Sequence, residues 1–327
     1  MNDMTMTGFA GLGAESLLDQ LDAMIAEVPG VRLGEDREHV HRMRVAARRL
    51  RSILGLCGED WPAETVDAWK RPVRRLARRL GAARDTDVQI EFLVDFMYEA
   101  PKAARPGLER LLLRLQQRRA KEQRRVVAAL ERFERSGLVE SMRRSLRAQL
   151  VRARLGRSAA PGALALLKAG RAVASRLENL LSYDDAVPAA GKSAELHEMR
   201  IATKRLRYTL DTFSPFFATD LKFAVSAAKE VQRLLGEIHD ADVWLDYLPA
   251  YASRERERTL AYFGHERAFK RLQPGLDALE RHCRARRDEM HATFVHCWEQ
   301  LRRDGVWETV YEAVRQAPGT AGLQQAA

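Results

Sequence analysis

The chain has 327 residues, with 55 Lys and Arg against 45 Asp and Glu, which gives a formal net charge of +10 at pH 7. This length suffices for two ordinary domains, and the excess of positive charge favours an acidic partner. No apolar run approaches the roughly 18 residues that a membrane helix needs, and the N-terminal segment lacks the positive start and apolar core of a secretory signal. We therefore expect a cytoplasmic protein without a membrane partner.

The three cysteines, Cys57, Cys283 and Cys297, are odd in number and lack C-x-x-C spacing. This pattern argues against a disulfide framework and against a thiolate zinc site, and it fits a reducing compartment. We expect each cysteine to be a small buried apolar side chain.

Apolar residues recur at steps of three and four along a sequence rich in Leu, Ala, Arg and Glu, which predicts an all-α fold without strands. Glycine and proline interrupt this pattern and predict helix ends. The main interruptions are Gly58 to Pro62, Gly81, Pro101 to Gly107, Gly156 to Gly162, Pro188 to Gly191 and Gly236. We divide the chain into a flexible N-terminus (1–13), a first helical subdomain (14–157), a second helical subdomain (158–316) and a disordered tail (317–327).

The segment VHRMRVAARRLRSIL, residues 40–54, carries the first basic row. Four side chains share an arc of about 80° on this helix: His41, Arg44, Arg48 and Arg51. The arc borders the apolar face, whereas Arg49 points elsewhere. Arginine donates bidentately to phosphate oxygens and stays charged, so the row is a candidate anion site. His41 could donate to the same oxygens or orient the helix by bonding to nearby backbone.

A second basic row follows, and then the segment LGAARDTDV, residues 80–88. The second row consists of Arg71, Arg74 and Arg78, with Lys70 beside it. Asp85 and Asp87 come just after Gly81, where carboxylates favour N-caps of a new helix or anchors for arginines. Magnesium ligation is the less favoured interpretation because positive charge surrounds the pair. A third row, weaker as a candidate, consists of Arg114, Arg118, Lys121 and Arg125.

The second half of the chain repeats these segments. LHEMRIATKRLRYTL, residues 196–210, shares the frame H-x-M-R-x-A-x-[RK]-R-L-R-x-x-L at an offset of 156, and LGEIHDADV, residues 235–243, follows at an offset of 155. The block that begins Pro106-Gly107-Leu108 recurs at an offset of 168. The corresponding basic residues are His197, Arg200, Lys204 and Arg207, then Lys222, Lys229 and Arg233, with Arg205 off the row. We predict a tandem duplication of one helical unit.

Each row could be an ordinary solvated helix face. However, like charges at this spacing destabilise a helix by ~0.2–0.5 kcal/mol per pair, and the same row occurs beside the apolar face in both copies. If consecutive helices pack as antiparallel neighbours, the first and second rows face one another across a groove. We therefore favour an anion site.

The motif H-x-M-R-x-A-x-[RK]-R-L-R, present twice and followed each time by L-G-x-x-x-D-x-D-V, resembles the conserved histidine α-helical domain (CHAD) family. The resemblance runs from about Leu12 to Val314. It implies two four-helix subdomains related by approximate two-fold symmetry, with a basic surface and central pore that bind inorganic polyphosphate. It also implies that the first row of each copy contacts phosphate. The sequence departs from the pattern where His239 stands in the slot of Arg84.

Three other functions compete with this interpretation. Histidine phosphotransfer needs a small residue close after the histidine, but Arg42 and Glu198 follow the two candidates here. A metal site is not favoured because His282, His291 and His296 do not share a helix face. RNA or DNA backbone binding remains the alternative, although only Tyr208 adjoins a row as a stacking platform.

We therefore expect a non-catalytic polyphosphate binder without a cofactor or metal. It would associate with polyphosphate granules or with an enzyme of polyphosphate metabolism, and both first rows would hold one chain.

Overall fold

The computed structural model describes residues 9–57, 61–155, 163–214, 217 and 219–316. These residues contain helices and no strand, which confirms the all-α prediction. The helices are α1 (Phe9–Ala26), α2 (Val28–Leu33), α3 (Arg37–Cys57), α4 (Ala63–Glu99), α5 (Arg105–Glu134), α6 (Leu138–Leu155), α7 (Ala163–Leu181), α8 (Ser193–Phe213), α9 (Lys222–Phe263), α10 (Arg267–Lys270), α11 (Gln273–Arg303) and α12 (Val306–Gln316). None of the helices in these ranges combines the length and hydropathy of a transmembrane segment.

The chain forms two compact units. The first contains residues 1–99 and 109–162, and the second contains residues 100–108 and 163–327. The predicted join between residues 157 and 158 and the predicted tail, 317–327, lie outside the described residues. α1 begins at Phe9, inside the segment that the sequence predicts as a flexible N-terminus (1–13), and residues 1–8 of that segment lie outside the described residues. Helix formers such as Ala10 and Leu12 extend that helix despite Gly11 and Gly13.

The core of the first unit follows the apolar periodicity of the sequence. Leu17 and Leu21 of α1, Met43 and Leu50 of α3, and Leu76 of α4 are among its fully or almost fully buried side chains. Because the charged rows occupy the arc next to these residues, core packing fixes the direction in which the rows point. The fold therefore positions the candidate site through ordinary helix amphipathicity.

Two predicted helix ends are wrong. α4 continues through Gly81 and α9 continues through Gly236, with lengths of 37 and 42 residues. A glycine inside a helix costs only about 1 kcal/mol relative to alanine, and burial of the apolar residues on both sides outweighs that cost. Both glycines instead leave space for an arginine side chain of a neighbouring helix.

A second glycine pair explains the repeated Pro-Gly-Leu block. In the second unit, the first turn of α5 meets the first turn of α11, and a Cβ on Gly107 would lie 2.1 Å from the Leu272 carbonyl oxygen. A Cβ on Gly275 would lie 2.3 Å from the Ala104 carbonyl oxygen. Only glycine permits this backbone contact.

The second unit is also built on large apolar side chains, including Trp244, Trp307 and Phe294. In this unit Trp298 Nε1 donates a hydrogen bond to Asp184 at 2.5 Å. Cys283 is buried, and burial raises the pKa of its thiol to about 12, which confirms the prediction of an apolar structural role for that residue. Cys297 is half-buried, while the side chain of Cys57 lies outside the described residues.

Candidate functional site: two basic helix rows

The first row of each copy lies partly sunk beside the core. His41, Arg44 and Arg48 on α3 are half-buried, whereas Arg51 at the end of the row is more exposed. On α8, all four residues of the row, His197, Arg200, Lys204 and Arg207, are half-buried. Arg49 and Arg205 are exposed and lie off these rows. Cations held partly out of water interact more strongly with an anion than fully solvated ones do.

The two repeated motifs meet in space. A Cβ on Gly81 of α4 would lie 3.8 Å from Arg44 Nε, and a Cβ on Gly236 of α9 would lie 3.8 Å from Arg200 Nε. The glycine of L-G-x-x-x-D-x-D-V therefore faces the first arginine of H-x-M-R in each unit. It leaves room for a guanidinium between two packed helices, which accounts for the spacing of both motifs.

Enlarging that glycine is expected to displace the arginine. Gly81→Ala places its methyl group at an ordinary van der Waals distance from Arg44, so we expect normal anion affinity and a stability gain of up to ~1 kcal/mol from helix propensity. Gly81→Leu fills the same space with a branched side chain, and we expect anion affinity to fall about tenfold or more. Calorimetric titration and thermal unfolding of both variants provide the measurement. Equal affinity of the two variants would contradict this role for Gly81.

Sequence reasoning missed one partner of each histidine. Burial lowers the pKa of His41, and the nearby charge of Arg84 lowers it further. Arg84 is itself half-buried and pairs with Glu91 at 3.0 Å. His41 Nδ1 is buried, and it has no hydrogen-bond partner within the described ranges. An anion that reached this nitrogen would supply one.

His239 occupies the corresponding place beside His197. Their Nδ1 atoms are 3.1 Å apart, so one ring donates to the other, and the ring centroids are 4.4 Å apart. Burial, followed by the charges of Arg200, His197 and Lys204, lowers the pKa of His239 to about 4. Arg84 and His239 are thus equivalent both in the repeat and in their contacts. Alignment of the two copies shows that Arg84 and His239 are equivalent positions, but it does not show that this position faces the histidine of the row.

The second row of the first copy lies next to the first. Partial burial lowers the pKa of Arg51, and the neighbouring charge of Arg74 on α4 adds to this effect. Arg71, Arg74 and Arg78 are exposed, and Lys70 is half-buried. Within the first unit, Arg51 of α3 and Arg74 of α4 are therefore neighbours, and that the two whole rows face one another across a groove stays a prediction.

None of the paired aspartates is an N-cap, and the second aspartate of each pair anchors an arginine. Because α4 and α9 are unbroken, Asp85, Asp87, Asp240 and Asp242 lie inside helices. Asp87 is fully buried and accepts a hydrogen bond from Arg119 Nε at 2.7 Å. Asp242 accepts one from Arg287 Nε at 2.5 Å. The interpretation as N-caps is wrong, and the anchor interpretation is confirmed for the second aspartate of each pair.

Burial and neighbouring charges have opposite effects on the pKa of Asp87. Burial raises its pKa, while Arg119 and Arg37 act in the opposite direction. Arg119 and Arg287 occupy equivalent positions at the 168-residue offset. The same tie therefore holds α5 to α4 and α11 to α9.

Other candidates are held by carboxylates. Arg233 pairs with Glu230 at 2.6 Å and with Glu237 at 2.5 Å, and the hydrogen bond to Glu230 raises its pKa. Lys222 pairs with Asp220 at 3.4 Å, whereas Lys229 is exposed. The second row of the second copy is thus partly neutralised, which its helical spacing alone did not predict.

The third row is divided in a similar way. Arg125 pairs with Glu122 at 2.6 Å, and Arg114 donates to the Gln117 side chain at 3.1 Å. Arg118 and Lys121 are exposed. No group of three His, Cys, Asp or Glu side chains in the described part of the chain is arranged to hold a metal ion.

Known proteins with the same fold bear on this geometry. The family model of the CHAD domain matches residues 15–249. A crystal structure of the CHAD domain from the plant Ricinus communis has a TM-score of 0.57 at 22% identity, covering 96% of this chain and 94% of that chain. PptA from Streptomyces chartreusis has a TM-score of 0.64 at 15% identity, covering 90% of this chain and 100% of that chain. A comparison with curated protein sequences gives no match. Since the family model spans more than half of the sequence, and the fold agrees with a solved member, this chain belongs to the CHAD family.

Proposed function

We propose that this protein binds inorganic polyphosphate without chemically changing it. The observation that carries the proposal is the half-buried row of a histidine and cationic side chains on α3, which recurs on α8. In both units the motif glycine makes room for an arginine of the row. Guanidinium groups in such a setting can donate bidentately to successive phosphate groups.

The aromatic side chain beside the α8 row favours a ligand chain without bases. Tyr208 is only 8% exposed, and the Arg207 guanidinium lies 4.6 Å from its ring centroid. A buried ring that already contacts a cation offers no open face to a nucleobase, although base stacking is a main source of affinity for single strands. A bare phosphate chain needs no stacking platform.

The histidines favour binding over phosphotransfer. A phosphate-accepting histidine needs an accessible nucleophilic nitrogen. His41 is half-buried among Arg44, Arg48 and Arg84, and His197 is hydrogen-bonded to His239. Incubation with a phosphodonor, followed by assay for acid-labile phosphate on the protein, is expected to give no phosphohistidine.

Competition decides between polyphosphate and nucleic acid. Labelled long-chain polyphosphate bound to the full chain is challenged at physiological salt with unlabelled polyphosphate or with single-stranded RNA of equal total charge. We expect polyphosphate to compete about tenfold or more better than RNA, and affinity to fall steeply with salt because bound counterions are released. Equal competition, or stronger competition by RNA, would assign the rows to nucleic acid.

Affinity for polyphosphate is expected to rise as the pH falls. His239 has a pKa near 4 in the free protein, and a bound polyanion would raise it, so binding takes up a proton. We expect wild-type affinity to increase between pH 7.5 and pH 5 by about twofold if binding raises the pKa by one unit and by about tenfold if it raises the pKa by two units. His239→Gln cannot take up this proton, and titrations across this pH range should give it a flatter profile. Identical profiles for both proteins would exclude His239 as the source.

Protonation of His239 also makes the stability of the free protein depend on pH. Between the ordinary pKa of histidine, 6.5, and about 4, the unfolded chain binds a proton that His239 in the folded chain does not. The stabilising contribution of neutral His239 is therefore complete above pH 6.5 and is lost as the pH falls towards 4. Thermal unfolding at pH 7 and pH 5 should show a smaller decrease in Tm for His239→Gln, and bound polyphosphate should reduce the wild-type decrease.

Binding of this kind suits recruitment to polyphosphate granules or to an enzyme of polyphosphate metabolism. A fluorescent fusion of the chain is expected to co-localise with polyphosphate granules in cells. The variant in which Arg44 and Arg48 are replaced by glutamine should remain diffuse.

A further inference from the structure

A second basic surface lies in the first unit between α4 and α5. Two adjoining clefts share Arg79 and Arg132 and have an apolar floor that includes Ala129 and Phe133. We call this surface the α4–α5 groove and define it by its seven cationic side chains. These are Arg75, Arg78, Arg79, Lys121, Arg124, Arg125 and Arg132.

The groove concentrates positive charge with little compensation. Of its seven cations, only Arg125 forms an ion pair with a carboxylate in the described part of the chain, namely with Glu122 at 2.6 Å. Like charges at these spacings repel one another and destabilise the helices that carry them. A bound anion would relieve that repulsion, and two concave walls of guanidinium groups suit an elongated anion better than a single small one.

The equivalent surface of the second unit has lost this charge. At the repeat offsets, acidic or neutral residues replace six of the seven cations: Glu230, Leu234, Glu289, Ala292, Thr293 and Gln300. The remaining one, Arg233, pairs with Glu230 and Glu237, and Glu237 also pairs with Arg286. The positive groove is therefore not a by-product of the fold or of the repeated motifs, because the second copy keeps both without it.

The groove also adjoins the first-copy rows. Arg74 of α4 influences Arg51 of α3, and Arg78, one helical turn further on, lines the groove. Lys70, Arg71, Arg74, Arg75 and Arg78 thus form an exposed or half-buried basic arc on α4 from the α3 side to the α5 side. A flexible polyanion on the rows can continue across this arc without leaving positive potential.

We propose that the α4–α5 groove binds a further stretch of the polyphosphate chain held by the α3 and α4 rows, so that the first unit selects for longer chains. This inference rests on the proposed function. It adds a site that the repeated motif does not contain, and it makes the two units unequal: the first unit binds a longer stretch of chain than the second.

Binding of polyphosphates of different chain length distinguishes the contribution of the α4–α5 groove from that of the rows. The groove variant replaces Arg75, Arg79, Lys121 and Arg124 with glutamine and leaves the residues of the α3 and α4 rows unchanged. The control variant replaces Arg144, Arg147, Arg254 and Arg267 with glutamine, which removes the same charge from exposed positions outside the groove. Affinity is measured for a series from tripolyphosphate to long-chain polyphosphate, and thermal unfolding shows that each variant is folded.

We expect the groove variant to bind long chains about tenfold or more weakly than the control, while tripolyphosphate affinity stays within about twofold of the control. The slope of log affinity against log salt for long chains should fall by about 0.7 for each phosphate group that the groove no longer neutralises. Equal long-chain affinity of groove variant and control would overturn the inference and leave the proposed function standing. An equal loss for tripolyphosphate would also overturn it, because the groove would then belong to the short-chain site. Absence of polyphosphate binding by the wild type would overturn the proposed function itself.

Discussion

Replacing Arg44 and Arg48 with glutamine is expected to weaken polyphosphate binding by about 100-fold or more. Both guanidinium groups are half-buried on α3 beside the core. Each charge-assisted hydrogen bond contributes about 1.5–3 kcal/mol, so the loss of two corresponds to at least two orders of magnitude in affinity. Calorimetric or fluorescence titration with long-chain polyphosphate at fixed salt measures the effect.

The matched control removes the same charge from the surface of α6. Arg144→Gln with Arg147→Gln changes two exposed positions, and we expect less than about threefold loss of affinity from the reduced net charge. Substitution of Arg200 and Lys204 by glutamine tests the second copy in the same way. If one chain contacts both rows, either pair weakens binding disproportionately, because the linked rows share an effective concentration. Unchanged affinity after loss of Arg44 and Arg48 is incompatible with the proposed function.

Asp87→Ala is expected to destabilise the first unit by about 3 kcal/mol. Asp87 is fully buried, and its removal leaves Arg119, of which only 11% is exposed, without its carboxylate. Breaking a buried ion pair by removing one partner costs about 3–5 kcal/mol, because the remaining charge stays desolvated. Denaturant unfolding followed by circular dichroism measures the free energy of unfolding.

Two further variants isolate the ion pair. Asp85→Ala removes an exposed carboxylate two residues away, and we expect it to cost less than about 1 kcal/mol. Asp87→Leu combined with Arg119→Leu removes both charges, and the double variant should recover most of the lost stability. A cost below about 1 kcal/mol for Asp87→Ala would show that the tie between α4 and α5 contributes little.

The features that depend on periodicity within one helix could be predicted from the sequence. The all-α class and the first row on α3 both follow from side chains at three- and four-residue spacing. The duplication itself stays a prediction, although equivalent residues make equivalent contacts at Gly81 and Gly236. These features need no knowledge of how distant segments pack.

The missed features depend on contacts between helices. Arg84 reaches His41 from a neighbouring helix. The pairing of Glu237 with Arg233 is instead local to α9, at a position where the first copy has Ala82. In the sequence, Gly81 is typical of a helix end. Only the position of the Arg44 side chain beside it explains why a glycine lies inside a continuous helix. A glycine that ends a helix and a glycine that leaves space for a side chain of a neighbouring helix are identical in the sequence.

The uninterrupted α4 also limits how this region can change in length. A helix of 37 residues extends for about 55 Å, and each inserted or deleted residue rotates everything beyond it by about 100°. Core packing sets the rotational phase of α4, the ion pair of Asp87 with Arg119 adds to it, and this phase directs Arg74 towards the α3 row and Arg78 towards the α4–α5 groove. One extra residue between Leu80 and Asp87 would turn both arginines away while leaving the composition almost unchanged. Insertions close to whole turns, such as seven residues, preserve the phase, so this segment tolerates substitution more readily than a shift in length.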